Sequence, residues 1–169
     1  MNCTGYIKHG RAGFTLVELL VAIAIMGTVM GLSALSFNSW KKKSNIEAQT
    51  RDLFTTFMEA RNNAFMQKKR HDVELEQKNY VLKSYSSESD AAGKIIRSKA
   101  LTYKLTKKGA DISGTKVSYD SGGFTTGFAS TNFTVNVDID DTSTSLNCLV
   151  VYVTRINMGK WNGTACEFR

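Results

Sequence analysis

From Leu19 to Phe37 the chain carries no charged residue. A stretch of about 20 apolar residues is what a helix needs to cross a bilayer. Directly ahead of it stands one acid, Glu18, within Gly13-Phe14-Thr15-Leu16-Val17-Glu18-Leu19-Leu20-Val21. An ionisable group there costs about 2.5–3.5 kcal/mol at a helix centre and less near its end, so it calls for a functional reason. Met1 to Gly13 is short and polar, with Lys8, His9 and Arg11 just before the run. A secretory signal would place a small-residue cleavage site after the apolar stretch. Phe37 is instead followed by Asn38-Ser39-Trp40-Lys41-Lys42-Lys43. The expected cut therefore lies after Gly13 and leaves the apolar helix on the mature chain. The plainer alternative is an anchor helix whose Glu18 snorkels to the interface.

Gly13-Phe14-Thr15-Leu16-Val17-Glu18 resembles the processing site of type IV prepilins and type II secretion pseudopilins. The resemblance implies a prepilin peptidase/N-methyltransferase that cuts after Gly13 and methylates the new terminal residue, Phe14. It implies that Glu18 neutralises the N-terminal amine of a neighbouring subunit during assembly. The implied partners are other pilin or pseudopilin subunits. The implied location is the bacterial inner membrane, crossed once, with the C-terminal domain in the periplasm. Further along, Arg51-Asp52-Leu53, Glu59-Ala60-Arg61-Asn62-Asn63-Ala64 and a strand at Val73 to Leu75 are similar to the H-type pseudopilin and fimbrial minor-pilin family. Arg155-Ile156-Asn157-Met158-Gly159-Lys160 matches it more loosely.

Compartment and topology follow from charge and cysteines. Cys3 falls in the leader, which leaves Cys148 and Cys166 as an even pair. In a chain with an export anchor such a pair suggests a disulfide and an oxidising compartment. A two-cysteine metal site would lack partners, because His9 and His71 are the only histidines and His9 is in the leader. The positive-inside count sets Lys8 and Arg11 against Lys41, Lys42 and Lys43, which on its own favours a cytoplasmic C-terminal part. Long domains translocate largely regardless of charge, so the cysteines and the resemblance decide the expectation. The net charge of +7 is spread along the chain and argues for solubility rather than for a dedicated anionic partner.

The rest of the chain reads as one helix followed by strands. There is no proline to break the apolar helix, and Gly27, Gly31 and Ser33 are its weak points. Ile46, Leu53, Phe57, Ala60 and Ala64 continue it as one apolar stripe, broadened by Phe54, Met58 and Phe65. The spacing predicts one helix over roughly 15–68, its second half laid on a sheet. From His71 the period becomes two: Val73 and Leu75, then Tyr80-Val81-Leu82 after a turn at Gln77-Lys78-Asn79, form a hairpin. Ser84 to Gly93 is a loop. Strands are expected in Ile95 to Leu105, at Val117 to Tyr119, and as a half-buried strand from Phe133 to Ile139. Leu149 to Val153 is a strand buried on both faces, and Gly159 to Gly163 turns the chain toward Cys166–Phe168. The expected class is α+β, a type IV pilin-like fold with a long N-terminal helix packed on a mostly antiparallel sheet. The expected divisions are 1–13 leader, 14–37 transmembrane and assembly helix, and 38–169 periplasmic globular domain.

No catalytic constellation is expected. Ser121-Gly122-Gly123 lacks the Gly-Lys-Ser/Thr of a phosphate loop. His71 follows Lys68-Lys69-Arg70 and reads as part of a solvated helix-to-strand connection. No cofactor is expected and no metal. Asp138, Asp140 and Asp141, with Asp120, are oxygen ligands of a kind that can hold calcium, but their spacing matches no ligand loop. Some minor pilins of the resembled family take up DNA through Gly-Arg-x-Arg; here that place reads Gly159-Lys160-Trp161-Asn162. Arg155, Lys160, Trp161 and Arg169 are therefore the candidate nucleic-acid contacts, with Trp161 stacking on a base. The plainer reading makes Trp161 a cap on the core and the cations ordinary surface. The expectation is thus a structural minor pseudopilin of type II secretion. Its alternative is a minor pilin of a type IV pilus in adhesion, motility or DNA uptake.

Overall fold

The computed structural model describes residues 13–87, 89–127, 132–140 and 143–168, with the side chains of 32–36 left aside. It is α+β: helix α1 (Leu16–Gln67) is followed by strands joined only by antiparallel pairing. The chain divides into two compact units between Trp40 and Lys41.

In the first unit α1 starts where Thr15 caps it. The Thr15 hydroxyl accepts a hydrogen bond from the Glu18 N–H at 3.2 Å, and the Thr15 carbonyl accepts from the Leu19 N–H at 3.2 Å. The helix is unbroken through Gly27 and Gly31. It ends in the second unit with a 6→1 bond from the Lys69 N–H to the Ala64 carbonyl, closed by Lys68 at a φ of 53° where glycine is customary.

In the second unit the expected apolar stripe is fully buried: Ile46, Leu53, Phe57, Ala60 and Ala64 are all at 0% exposure. They share one core with Val73, Leu75, Tyr80, Leu82, Val117, Val135, Leu149 and Val151 of the strands. Gln49 fixes the helix to the chain beyond it. Its Nε2 donates to the Tyr103 carbonyl at 2.8 Å, and its Oε1 accepts from the Tyr103 N–H at 3.0 Å.

The strands form two five-stranded sheets rather than the single sheet expected. The first contains β1 (His71–Glu76), β2 (Asn79–Ser84), β3 (Lys94–Ala100), β5 (Thr115–Tyr119) and β6 (Thr125–Thr126), in the order β3-β2-β1-β5-β6. The second contains β4 (Leu105–Thr106), β7 (Asn132–Val137), β8 (Cys148–Tyr152), β9 (Ile156–Trp161) and β10 (Cys166–Phe168), in the order β10-β9-β8-β7-β4. Period-two patterning fixes which face of a strand is apolar but not which strands share a ladder.

Three local readings are corrected. The expected turn from Gly159 to Gly163 is strand β9 as far as Trp161. Gly159 is there because a Cβ would collide with the Glu167 backbone carbonyl of the neighbouring strand. β7 ends at Val137, where Asp138 takes a φ of 47°, and its polar residues Thr134 and Asn136 are buried, so it is not half-exposed. His71 is fully buried at the start of β1, its Nδ1 3.0 Å from the Lys69 carbonyl, and is not in a solvated connection.

The outer face of β1 carries a charged latch that sequence reading missed. Asp72 is at 0% exposure with Arg70 Nε at 3.6 Å and Lys116 Nζ at 3.3 Å. The Arg70 guanidinium lies over the Tyr85 ring, 3.8 Å from its centroid, and donates to the Asp90 carbonyl at 2.8 Å. Burial, then the neighbouring Asp72 carboxylate, raises the Tyr85 phenol to about 12. Burial pushes Tyr119 up as well. A phenol that ionises later in the folded chain than in the unfolded one keeps its contribution below about pH 10 and loses it as pH climbs toward 12. Urea midpoints are therefore expected to fall steadily over that window, and Tyr85→Phe is expected to flatten the fall. An equal fall in both proteins would remove Tyr85 as its source.

Candidate functional site

The candidate processing and assembly site is the start of α1. Gly13, Phe14 and Thr15 precede the helix, and a Cβ built on Gly13 meets nothing within 4 Å. Phe14 is 86% exposed and Glu18 lies exposed in the first helical turn. An acid at that position also interacts favourably with the helix dipole. Thr15-x-x-Glu18 is a capping-box pattern, and that signal was present in the sequence. The cap makes the helix begin two residues after Phe14, so the Gly13–Phe14 peptide is left in open, non-helical chain.

Apart from Glu18, the start of the helix presents apolar side chains on every side. Leu16, Val17, Leu19, Leu20, Val21, Ile23, Ile25, Met26, Val29 and Met30 are each at least half exposed, and consecutive positions cover the full circumference. Such a surface is stable only in lipid or against other apolar helices. Among the described residues no helix is long and apolar enough to cross a membrane. The described side chains of this run stop at Gly31, short of the ~20 residues a crossing needs. In the sequence the uncharged stretch continues to Phe37.

At the other end of the chain, Cys148 on β8 and Cys166 on β10 are bonded across β9, their Cα atoms 6.0 Å apart. Gly159 lies opposite Cys148 in the β8–β9 register and opposite Phe168 in the β9–β10 register, and a Cβ built on it would come within 3.1 Å of the Cys166 Sγ. The candidate nucleic-acid contacts are not brought together as a stacking surface. Trp161 is 5% exposed, with its backbone N–H donating to Asn147 Oδ1 at 2.7 Å, so its ring is buried and has no face to offer a base. Lys160 lies opposite Glu167 in the β9–β10 ladder. Arg155 is exposed but lies over the Tyr152 ring, 4.7 Å from its centroid. Arg169 lies outside the described residues.

Beside this end is a groove of about 610 Å³ lined by Arg51, Phe54, Leu146, Ile156, Met158 and Phe168. Among the described residues that line it there is no nucleophile paired with a base. Among the described residues no group of three or more His, Cys, Asp or Glu is placed to hold a metal ion. Asp138 instead pairs with Lys42 at 3.0 Å, and Asp120 accepts the N–H groups of Gly122 and Phe124 within its own turn. Asp141 lies outside the described residues.

No curated protein and no solved structure matches the chain. Residues 8–34, however, match the prokaryotic N-terminal methylation motif, the signal carried by type IV pilin-like prepilins, and the match spans Gly13, Phe14 and Glu18.

Proposed function

We propose that the chain is a structural minor pseudopilin subunit of a type II secretion system, held in the inner membrane and assembled through its N-terminal helix. The observation that carries this reading is the methylation motif over residues 8–34, continued by a helix whose apolar side chains are exposed all round. In this reading residues 1–13 are a leader, removed by prepilin peptidase after Gly13. Residues 14–37 form the membrane and assembly helix, and 38–169 the periplasmic domain. Leaving lipid costs little for a helix that enters an equally apolar bundle of other subunits. Glu18 then gains the N-terminal amine of a neighbour as its partner. The Cys148–Cys166 bond supports an oxidising compartment for the second unit.

The pattern from Arg51 to Ala64 is similar to H-type pseudopilins and fimbrial minor pilins alike, so a minor pilin of a type IV pilus is the alternative reading. The burial of Trp161 takes away the main support for a DNA-uptake pilin. The test is intact-mass and N-terminal analysis of the chain purified from its own membranes. The expected result is a mature chain that begins at N-methylated Phe14 and is two hydrogens light for the cysteine bond. A chain beginning at Met1 with free thiols would make it a simple anchored protein and end the assembly reading.

A further inference from the structure

The groove of about 610 Å³ in the second unit is bounded by elements that other contacts hold in place. One wall is helix α1, which contributes Arg51 and Phe54. The helix is tied to the segment that carries Leu146, the next lining residue. The Ser145 N–H donates to Glu47 Oε1 at 3.0 Å, and the Thr50 hydroxyl lies 3.4 Å from the Leu146 carbonyl. The opposite wall is Ile156 and Met158 of β9 with Phe168 of β10. The Cys148–Cys166 bond fastens β10 across β9, and so holds Phe168 at the rim, where it is 46% exposed. A groove formed in advance lowers the ordering cost of whatever binds it.

The chemistry of the lining is one-sided. Phe54, Leu146, Ile156, Met158 and Phe168 are apolar, and Arg51 is the one charged residue among the described residues that line it. Arg51 is exposed, and its guanidinium has no hydrogen bond or ion pair among the described residues. The two acids nearest in sequence to the lining are engaged elsewhere. Glu47 holds the Ser145 N–H, and Glu167 accepts from Asn162 Nδ2. The groove therefore offers an apolar surface and one unpaired cation.

An added strand finds little to pair with here, because the outer strand β10 is only three residues long. We infer that the groove takes an amphipathic helix of a partner protein. Its apolar residues, spaced i, i+3 and i+7, cover Phe54, Met158 and Phe168, and a carboxylate beside them meets Arg51. The amphipathic stripe of a second copy's α1 cannot serve, because Ile46, Leu53, Phe57, Ala60 and Ala64 are at 0% exposure in their own core. The inference stands independently of the pseudopilin reading, since it uses only the second unit's surface.

The test uses the full chain in phosphatidylcholine nanodiscs. The probe is a fluorescein-labelled, hydrocarbon-stapled helix, Gln-Leu-Gln-Gln-Leu-Gln-Gln-Glu-Leu-Gln-Gln-Leu. Binding is followed by anisotropy and by the Met158 methyl resonance, assigned through Met158→Leu. The helix is expected to bind and to shift that resonance. Arg51→Gln is expected to weaken it about fivefold, the size of one partly exposed ion pair. The same variant is expected to leave unchanged a second helix that has Gln in place of Glu. Phe54→Ala is expected to weaken both helices alike. The inference is overturned if the acidic helix does not bind, if empty nanodiscs take it up equally, or if binding leaves the Met158 resonance unmoved. Equal weakening of the two helices by Arg51→Gln overturns it as well, as does an oligomer of the chain itself that Phe54→Ala disperses.

Discussion

Glu18→Ala is expected to leave a chain that still inserts in the membrane but enters filaments about a hundredfold less well. The figure follows from removing one partner of a buried ion pair, which costs ~3 kcal/mol because the other charge stays buried and unpaired. In the proposed assembly that other charge is a neighbour's N-terminal amine in an apolar helical bundle. The structure supplies a competing local role, since Glu18 lies in the first turn of a helix capped by Thr15. A favourable interaction with the helix terminus is worth only about 0.3–1 kcal/mol, and a cap about 1. Thr15→Ala therefore separates the two roles. If Glu18 serves assembly, Thr15→Ala loses little incorporation and Glu18→Ala loses most of it, measured as the mutant's share of purified filaments against its share in membranes. Equal, modest losses in both variants would reduce Glu18 to a helix-start residue.

The stretches that were legible are those where one physical rule acts alone. The helix ends fall within a residue or two of the expected 15–68, because the stripe from Ile46 to Ala64 has a single period and no proline interrupts it. The hairpin of β1 and β2 pairs Val73 with Leu82 and Leu75 with Tyr80, as alternation with a short turn dictates. Legibility failed where two rules competed. Gly159 reads as a turn residue, yet it is glycine because the neighbouring strand's carbonyl lies where its Cβ would be, a contact between strands that no local pattern encodes. Trp161 beside Lys160 reads as a base-stacking pair, yet β-strand alternation turns the indole inward and leaves Lys160 opposite Glu167. Asp72 alternates as a solvent-facing residue and is nevertheless sealed, because Arg70, Tyr85 and Lys116 from three different segments close over it. At the candidate site the sequence showed Gly13, Phe14 and Glu18, and it also contained the Thr15 cap in a pattern that was passed over.

Phe57→Ala is expected to destabilise the second unit by about 4 kcal/mol, whereas Phe54→Ala costs no more than about 1.5. The two phenylalanines lie three positions apart on one helix and are the same chemically. Phe57 is at 0% exposure inside the core shared with the strands. Phe54 is only partly buried against that core and lines the open groove beside Ile156 and Met158. Removing Phe57 leaves a void that fully packed neighbours cannot fill, so the cavity cost adds to the lost transfer free energy. Removing Phe54 widens a groove that water already reaches, so only the transfer part is lost. A domain of this size has ~5–15 kcal/mol in total, so Phe57→Ala takes a large share of its stability. Chemical denaturation of the two variants measures the difference. Equal losses would mean that the groove is closed in solution and that Phe54 belongs to the same core.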